Sequence, residues 1–307
     1  MSSAAIKKAR FEFGRHETFA VRHGWLGKGM ARIEEADEGF KADLDTADAL
    51  GIGSRMVKSL QFWLDASGMA VFEKLSDAKR RARRLVLSPL GRAVMRHDPY
   101  LEFPATWWFI HLNLASRPGS VWSWFFNDFR ERTFERAACV DAFIRHLKEQ
   151  SSNQPTPDVA KRDVGCLLLA YAAGSANDRV DPEDPTICPL RDLALVLRHS
   201  DTGRFEKTRP LDQVPLEVVL ACISQMASDS SSDSVPIGEM IRRRFGPARI
   251  FSLSGDMIDE ITMIAEQVYG EDGVRVSLLG AERHLTIPPL RAHEWFERHF
   301  QRIGEDQ

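Results

Sequence analysis

The chain has 307 residues, 43% of them hydrophobic and 28% charged, with a formal net charge of −3. That length allows two cores, and the charge excludes a global cationic field, so any nucleic-acid contact must come from local basic clusters. No apolar run approaches the ~18 residues of a membrane span, and no P-loop, dinucleotide fingerprint or Gly-x-Ser-x-Gly elbow is present, which removes the commonest ATPase and hydrolase readings.

The stretch 13–29 concentrates chemistry: His16, Glu17, Arg22, His23 and Lys28 are interleaved with Phe13, Phe19, Trp25 and glycines at 14, 24, 27 and 29. An interior glycine costs a helix about 0.5–1 kcal/mol relative to alanine, so the backbone here must bend or be closely approached. If part of the stretch is helical, Arg22, Trp25 and Lys28 share a face. One reading is a phosphate or nucleic-acid site with His16 and Glu17 as acid, base or metal ligands. The other is a buried plug in which those two pair with Arg15 or Arg22 and Trp25 fills core.

Residues 46–50 read as a short helix, 51–53 as a tight connection, and Ser54 as the cap of a second helix. In that helix Met56, Val57, Leu60, Trp63 and Leu64 share one face, while Arg55, Lys58 and Asp65 point away. Strands are expected at 69–75 and 85–87, and Lys79, Arg80, Arg81, Arg83 and Arg84 put five cations in six positions at the tip between them. Ser88-Pro89 then starts another helix. The pieces make a winged helix whose Arg55, Lys58 and wing cations would meet DNA phosphates. The alternatives are a protein-interaction module and a merely solvated charge run.

Asp98 precedes a proline and is held out of helix, whereas His111 lies inside an apolar helix beginning near Thr106. With Glu17 and Glu102, Asp98 could hold a divalent ion, Mg²⁺ or Mn²⁺, because hard cations take carboxylate oxygens. Against this, Asp98 could cap the following helix or pair with Arg92 or Arg96, and His111 could be a satisfied core histidine. The aromatics at 107–109, 122 and 124–126 read as core rather than as a stacking platform.

A helix is expected over 132–149, a polar linker over 151–157 and another helix over 157–173. The domain boundary therefore falls at 150/151, giving an N-terminal domain, 1–150, and a C-terminal helical domain, 151–307. Residues 181–190 form an acidic, proline-rich loop. Helices follow at 215–227, 237–245 and 255–269, then a hairpin at 274–277 and 284–287, and a last helix at 290–300. This is a second winged-helix-type module, with Arg242, Arg243, Arg244 and Arg249 as a further candidate phosphate patch. The fold class is mainly α, two winged-helix-type modules joined by helical segments.

The patterns Phe13-Gly14-x-His16-Glu17-Thr18-Phe19 and Arg22-x-Gly24-Trp25-Leu26-x-Lys28-Gly29 resemble the opening signature of the bacterial family of domain of unknown function 4007. The segments 98–102 and 181–190 resemble its later stretches, although Phe103 stands where the family tends to carry a second acid. Members resemble the DNA-nicking subunit of the phosphorothioation defence system. That resemblance implies double-stranded DNA as a partner, together with sulfur-transfer and ATPase subunits, and leaves a homodimer open. It implies catalytic roles for His16, Glu17, Asp98 and Glu102, a metal on Glu17, Asp98 and Glu102, and DNA contacts from Arg22, Lys28, Arg55, Lys58 and the wing cations. A non-catalytic DNA-binding adaptor is the competing function. The four cysteines, at 139, 166, 188 and 222, lack metal spacing. The amino terminus lacks a signal-peptide core, so a reducing cytoplasm, no membrane and free thiols are expected.

Overall fold

The computed structural model describes residues 8–36, 40–74, 83–174, 188–209 and 214–305, and within them the chain is mainly helical with small sheets. The first group of elements is α1 (Trp25–Glu35), α2 (Leu44–Leu50), α3 (Ser54–Ala66) and the antiparallel hairpin β1 (Ala70–Lys74) and β2 (Arg83–Leu87). Phe40, between α1 and α2, bridges Leu85 of β2, so the chain runs helix, extended segment, helix, helix, hairpin. Asp43 caps α2 by accepting the Thr46 amide, and Gly51 ends it at φ 65°, a left-handed conformation that glycine adopts without strain. Helix α3 starts at Ser54, but its N-cap is Gly53 and no side chain caps it. Val57, Leu60, Trp63 and Leu64 form its buried face as the periodicity predicts. In α4 (Pro89–His97) the Ser88 hydroxyl accepts the Gly91 amide and Pro89 opens the helix.

Helix α5 (Pro104–Ser116) buries ten of its 13 residues. A helix apolar on all sides has to be enclosed, and α6 (Val121–Asn127), α9 (Leu216–Asp229), α11 (Pro247–Ile250) and α13 (Ala292–Glu305) all pack against it. Trp107, Trp108, Phe109, Trp122, Trp124, Phe125 and Phe126 are buried, so the aromatic run is core. His111 is enclosed too: its Nε2–H donates to the Ile250 carbonyl and its Nδ1 accepts the Tyr171 hydroxyl, both at 2.9 Å. Burial pushes its pKa down to about 4, which makes it a neutral core histidine with both nitrogens used.

The expected boundary at 150/151 does not interrupt packing. Helices α7 (Arg136–Gln150) and α8 (Pro157–Tyr171) pack together across it. A four-stranded sheet also spans it, formed by β3 (Thr133–Phe134), β4 (Ala172–Gly174), β5 (Val196–Arg198) and β6 (Phe205–Lys207) in the order β3-β6-β5-β4. Residues 133–134, expected to begin a helix, are thus a strand paired with β6. The buried side chains form one continuous cluster.

The second group of elements is α9, β7 (Ser234–Pro236), α10 (Ile237–Arg242), α11, α12 (Gly255–Tyr269) and the hairpin β8 (Arg275–Leu279) and β9 (Glu282–Thr286). Strand β7 pairs with β9, as Phe40 pairs with β2, so the second group repeats the order of the first with one short helix added. Helix α13 lies against both α9 and α4. Its anchor is the buried Glu217, which accepts from Tyr269 Oη at 2.7 Å, His299 Nδ1 at 2.8 Å and Arg302 Nε at 2.7 Å. Burial works against the Glu217 charge, but these donors outweigh it and hold the carboxyl down at about 2. Each arginine of the expected patch has a partner within the chain, although Arg242 and Arg244 remain exposed: Arg242 meets Glu239 and Glu282, Arg243 donates to Ser230, Arg244 to Asp128, and Arg249 to the Asn127 carbonyl.

Candidate functional site

Residues 16–19 run along α3 and meet it at three points one turn apart. Arg55 Nε donates to Glu17 at 3.2 Å, Ser59 Oγ to the His16 carbonyl at 2.9 Å, and Trp63 Nε1 to the Phe19 carbonyl at 2.9 Å. This path needs Gly14 at φ 65° and, unusually for non-glycine residues, Glu17 at 49° and Thr18 at 70°, backbone outliers of the kind that cluster at functional sites. His16 is buried, edge-on to Trp122 with ring centroids 5.9 Å apart. Its Nδ1 accepts the Thr18 amide, so the proton sits on Nε2 and is donated to Asp163 Oδ1 at 2.9 Å. Asp163 also accepts the Gly14 amide. His16 is therefore the structural pin of the loop, fastened to an α8 carboxylate rather than to Arg15 or Arg22.

Beneath this loop lies a cleft of about 860 Å³, lined by Arg15 and Glu17, by Lys58, Gln61, Phe62 and Asp65 of α3, by Phe72 and Arg83 of the hairpin, and by Glu12 and Arg117. Arg117 spans Glu12 at 3.0 Å and Asp65 at 2.8 Å. Arg15, Lys58 and Arg83 are exposed and have no ion-pair partner among the described residues. The cleft thus sets Glu17, paired with Arg55, together with Glu12 and Asp65, which share Arg117, beside the cations Arg15, Lys58 and Arg83 that can take up phosphate oxygens. Glu12, Asp65 and Arg117 are members that sequence reasoning missed.

Asp98 and Glu102 lie elsewhere. Asp98 is buried and accepts the Glu102 amide at 2.8 Å, the Phe103 amide at 3.2 Å and the Thr106 hydroxyl, so it ties the turn before α5 to the first turn of that helix. Glu102 lines a second cavity, about 780 Å³, with His23, Gly24, Tyr100, Trp107 and Asp192. Burial raises the Asp192 carboxyl above the usual range, while His23 and Arg191 pull it back. The segments 22–29, 98–102 and 188–190 carry the family resemblance, and they or their immediate neighbours meet at this cavity. Gly27 is what lets α1 approach: a Cβ there would stand 2.8 Å from the Pro99 carbonyl.

Glu17 and Glu102 therefore line different cavities, and the expected trio of Glu17, Asp98 and Glu102 does not form. Among the described residues no group of three His, Cys, Asp or Glu side chains is placed to hold a metal ion. Among the described residues the candidate carboxylates are already engaged and do not converge as a Mg²⁺ or Mn²⁺ cage: Asp98 accepts from three donors, Glu17 is paired with Arg55, and Glu12 and Asp65 share Arg117. Of the expected DNA contacts, Lys58 and Arg83 line the cleft and Arg55 pairs with its Glu17. Arg84 is paired with Glu73 at 2.8 Å. Arg22 precedes α1, its guanidinium 5.4 Å from the Trp25 ring, and Lys28 is exposed on α1. Lys79, Arg80 and Arg81 lie outside the described residues, as do 181–187.

Fold and site together define a mainly helical protein with a repeated helix–strand–helix–helix–hairpin order and a carboxylate-and-cation cleft under its opening loop. The chain belongs to the family described as protein of unknown function (DUF4007), whose profile matches residues 13–278. Two crystal structures share the fold. A magnesium ion-bound SspB matches with a TM-score of 0.83 at 24% identity, covering 98% of this chain and 91% of that one. A second SspB structure matches with a TM-score of 0.80 at 24% identity over 98% and 89% of the two chains. No curated protein matches. No helix among the described residues is long and apolar enough to cross a membrane.

Proposed function

We propose that this protein is the DNA-binding component of a phosphorothioate-based modification and anti-phage defence system, and that it nicks one strand of double-stranded DNA so that sulfur-transfer and ATPase subunits can act on the backbone. Both element groups are read as winged helices, and the first supplies the DNA surface. The observation that carries the reading is the cleft, where Glu17 stands among Arg15, Lys58 and Arg83. In this reading the cations hold a phosphodiester and Glu17 orients the attacking water as its base. Because the opening loop already occupies the Arg55–Ser59–Trp63 line of α3, DNA is met along the cleft rim and hairpin rather than by full insertion of α3 into a groove.

The second reading is a non-catalytic adaptor, favoured by the pairing of Glu17 with Arg55 at 3.2 Å, which engages the carboxylate proposed as the base. Supercoiled plasmid incubated with purified protein, alone and with Mg²⁺ or Mn²⁺, separates the two. The nuclease reading expects relaxed circles from the wild type and none from Glu17→Gln, with DNA binding retained in both. Arg55 is the Glu17 partner and is 66% exposed, so removing this charge should cost no more than about 1 kcal/mol of stability. Binding without relaxation under every condition would leave the adaptor. The sulfur-transfer and ATPase partners, a homodimer and a cytoplasmic setting belong to the same proposal.

A further inference from the structure

Away from the cleft, where β4 and β5 meet α8, a cavity of about 470 Å³ is lined by Arg136, Arg191 and Arg198, and no acid is among its described lining residues. Each arginine is placed by the fold. Arg136, at the start of α7, lies over Gly165 of α8, where a Cβ would stand 2.5 Å from its guanidinium nitrogen. Arg191 Nε donates to the Leu169 carbonyl at 3.1 Å. Gly165 and Leu169 are four residues apart on α8, so the two arginines meet α8 at points one helical turn apart. Arg198 ends β5, in register with Gly174 on one side and Phe205 on the other, both of which line the cavity. Neither Arg136 nor Arg198 has an ion-pair partner among the described residues.

Three like charges around one cavity repel one another, and an oxyanion relieves that repulsion while accepting bidentate hydrogen bonds from the planar guanidinium forks. The volume exceeds what a lone phosphate needs and falls in the range of small-ligand sites, and Leu168, Ala172 and Phe205 supply an apolar wall. We propose that this cavity is a second site that binds a nucleoside phosphate, the arginines on the phosphate and the apolar wall against the base. Two sources carry that chemistry: a free nucleotide, or the phosphorylated end of a single strand.

Calorimetric titration of the full chain tests it, with AMP, ADP, inorganic pyrophosphate and a short single-stranded oligonucleotide carrying either a terminal phosphate or a terminal hydroxyl. Saturable binding of at least one phosphate-bearing probe is expected. Arg136→Gln/Arg198→Gln should weaken it by about tenfold or more, with the ligand-free melting temperature unchanged, since both side chains are exposed. Tight AMP or ADP identifies the free nucleotide as the source; preference for the phosphorylated over the hydroxyl oligonucleotide identifies the strand end. Arg55→Gln/Lys58→Gln, which alters the cleft, should leave this affinity alone, so failure here is distinguishable from failure of the proposed nicking. No saturable binding by any probe, or equal affinity in the Arg136/Arg198 variant, overturns the site.

Discussion

The two groups of elements, α1 to β2 and α9 to β9, share one connectivity and present different surfaces. In the first, α3 turns Arg55 and Lys58 outward beside the Arg83 and Arg84 hairpin. In the second, the equivalent α12 exposes Asp256, Glu260, Met263, Ile264 and Val268, and its hairpin carries the exposed Leu278 and Leu279. Inward faces agree in kind: Val57, Leu60, Trp63 and Leu64 against Ile258, Thr262, Ala265 and Tyr269. The difference teaches that apolar periodicity fixes the architecture, whereas the outward residues decide the partner. A helix that exposes three acids, Asp256, Glu260 and Glu266, beside three apolar side chains is a poor surface for phosphates.

The largest expected effect breaks the second group at its anchor. Glu217 is buried with Arg302, His299 and Tyr269 on its oxygens, so Glu217→Gln strands a partly buried cation and should cost about 3–5 kcal/mol, lowering the melting temperature by roughly ten degrees. Its folded pKa of about 2 lies below the ordinary 4.5. The contribution is therefore fully present above pH 4.5 and is lost as pH falls toward 2. Melting curves of wild type and variant should converge in that window; a gap unchanged down to pH 2 would contradict the network.

The next effect tests the first group's surface. Up to about six phosphates neutralised by the hairpin cations, Arg55 and Lys58 give a log–log salt slope for DNA binding near −5. Changing Arg80, Arg81, Arg83 and Arg84 to alanine should weaken binding about a hundredfold at physiological salt and flatten that slope. An unchanged slope would remove the hairpin from the interface.

Much of this contrast is legible in the sequence, for stated reasons. Helix α12 falls at the expected residues because Ser254, Gly255 and a clean apolar period delimit it, and its cap is the Ser254 hydroxyl on the Met257 amide. The hairpins and aromatic core were equally readable. The four cysteines, expected as free thiols, are all buried. The sheet β3-β6-β5-β4 was not readable, since strands of two or three residues are too short to show alternation and β3 meets β6 across about seventy residues of chain. His16 likewise finds Asp163 at a separation of 147 residues, which spacing cannot encode. The separation of Glu17 from Glu102 is of the same origin: each sits in a motif, and only the folded path shows that the motifs open onto different cavities.

A smaller effect distinguishes the two acids of segment 98–102. Asp98→Asn keeps volume but loses the charge that three donors address, so about 1–2 kcal/mol of stability should go, with nicking per folded molecule retained. Glu102→Gln, exposed in the other cavity, should change stability by less than about 0.5 kcal/mol and leave nicking intact. Loss of nicking in either folded variant would join that residue to Glu17 after all.

The smallest expected effect addresses the second group's outward helix. Asp256 and Glu260 are exposed on α12 and have no ion-pair partner among the described residues. If α12 lay on DNA as α3 is proposed to, these carboxylates would repel phosphates. Asp256→Asn/Glu260→Gln would then tighten binding severalfold, most at low salt where screening is weak. If the second group faces away from the duplex, removing two distant charges changes affinity by less than about twofold, because separations beyond a Debye length of ~10 Å are screened at 0.1 M salt. The second outcome is expected, and a fluorescence-anisotropy titration at two salt concentrations reads it directly. Tightening at low salt would instead put both groups on DNA and reduce the contrast between them to one of degree.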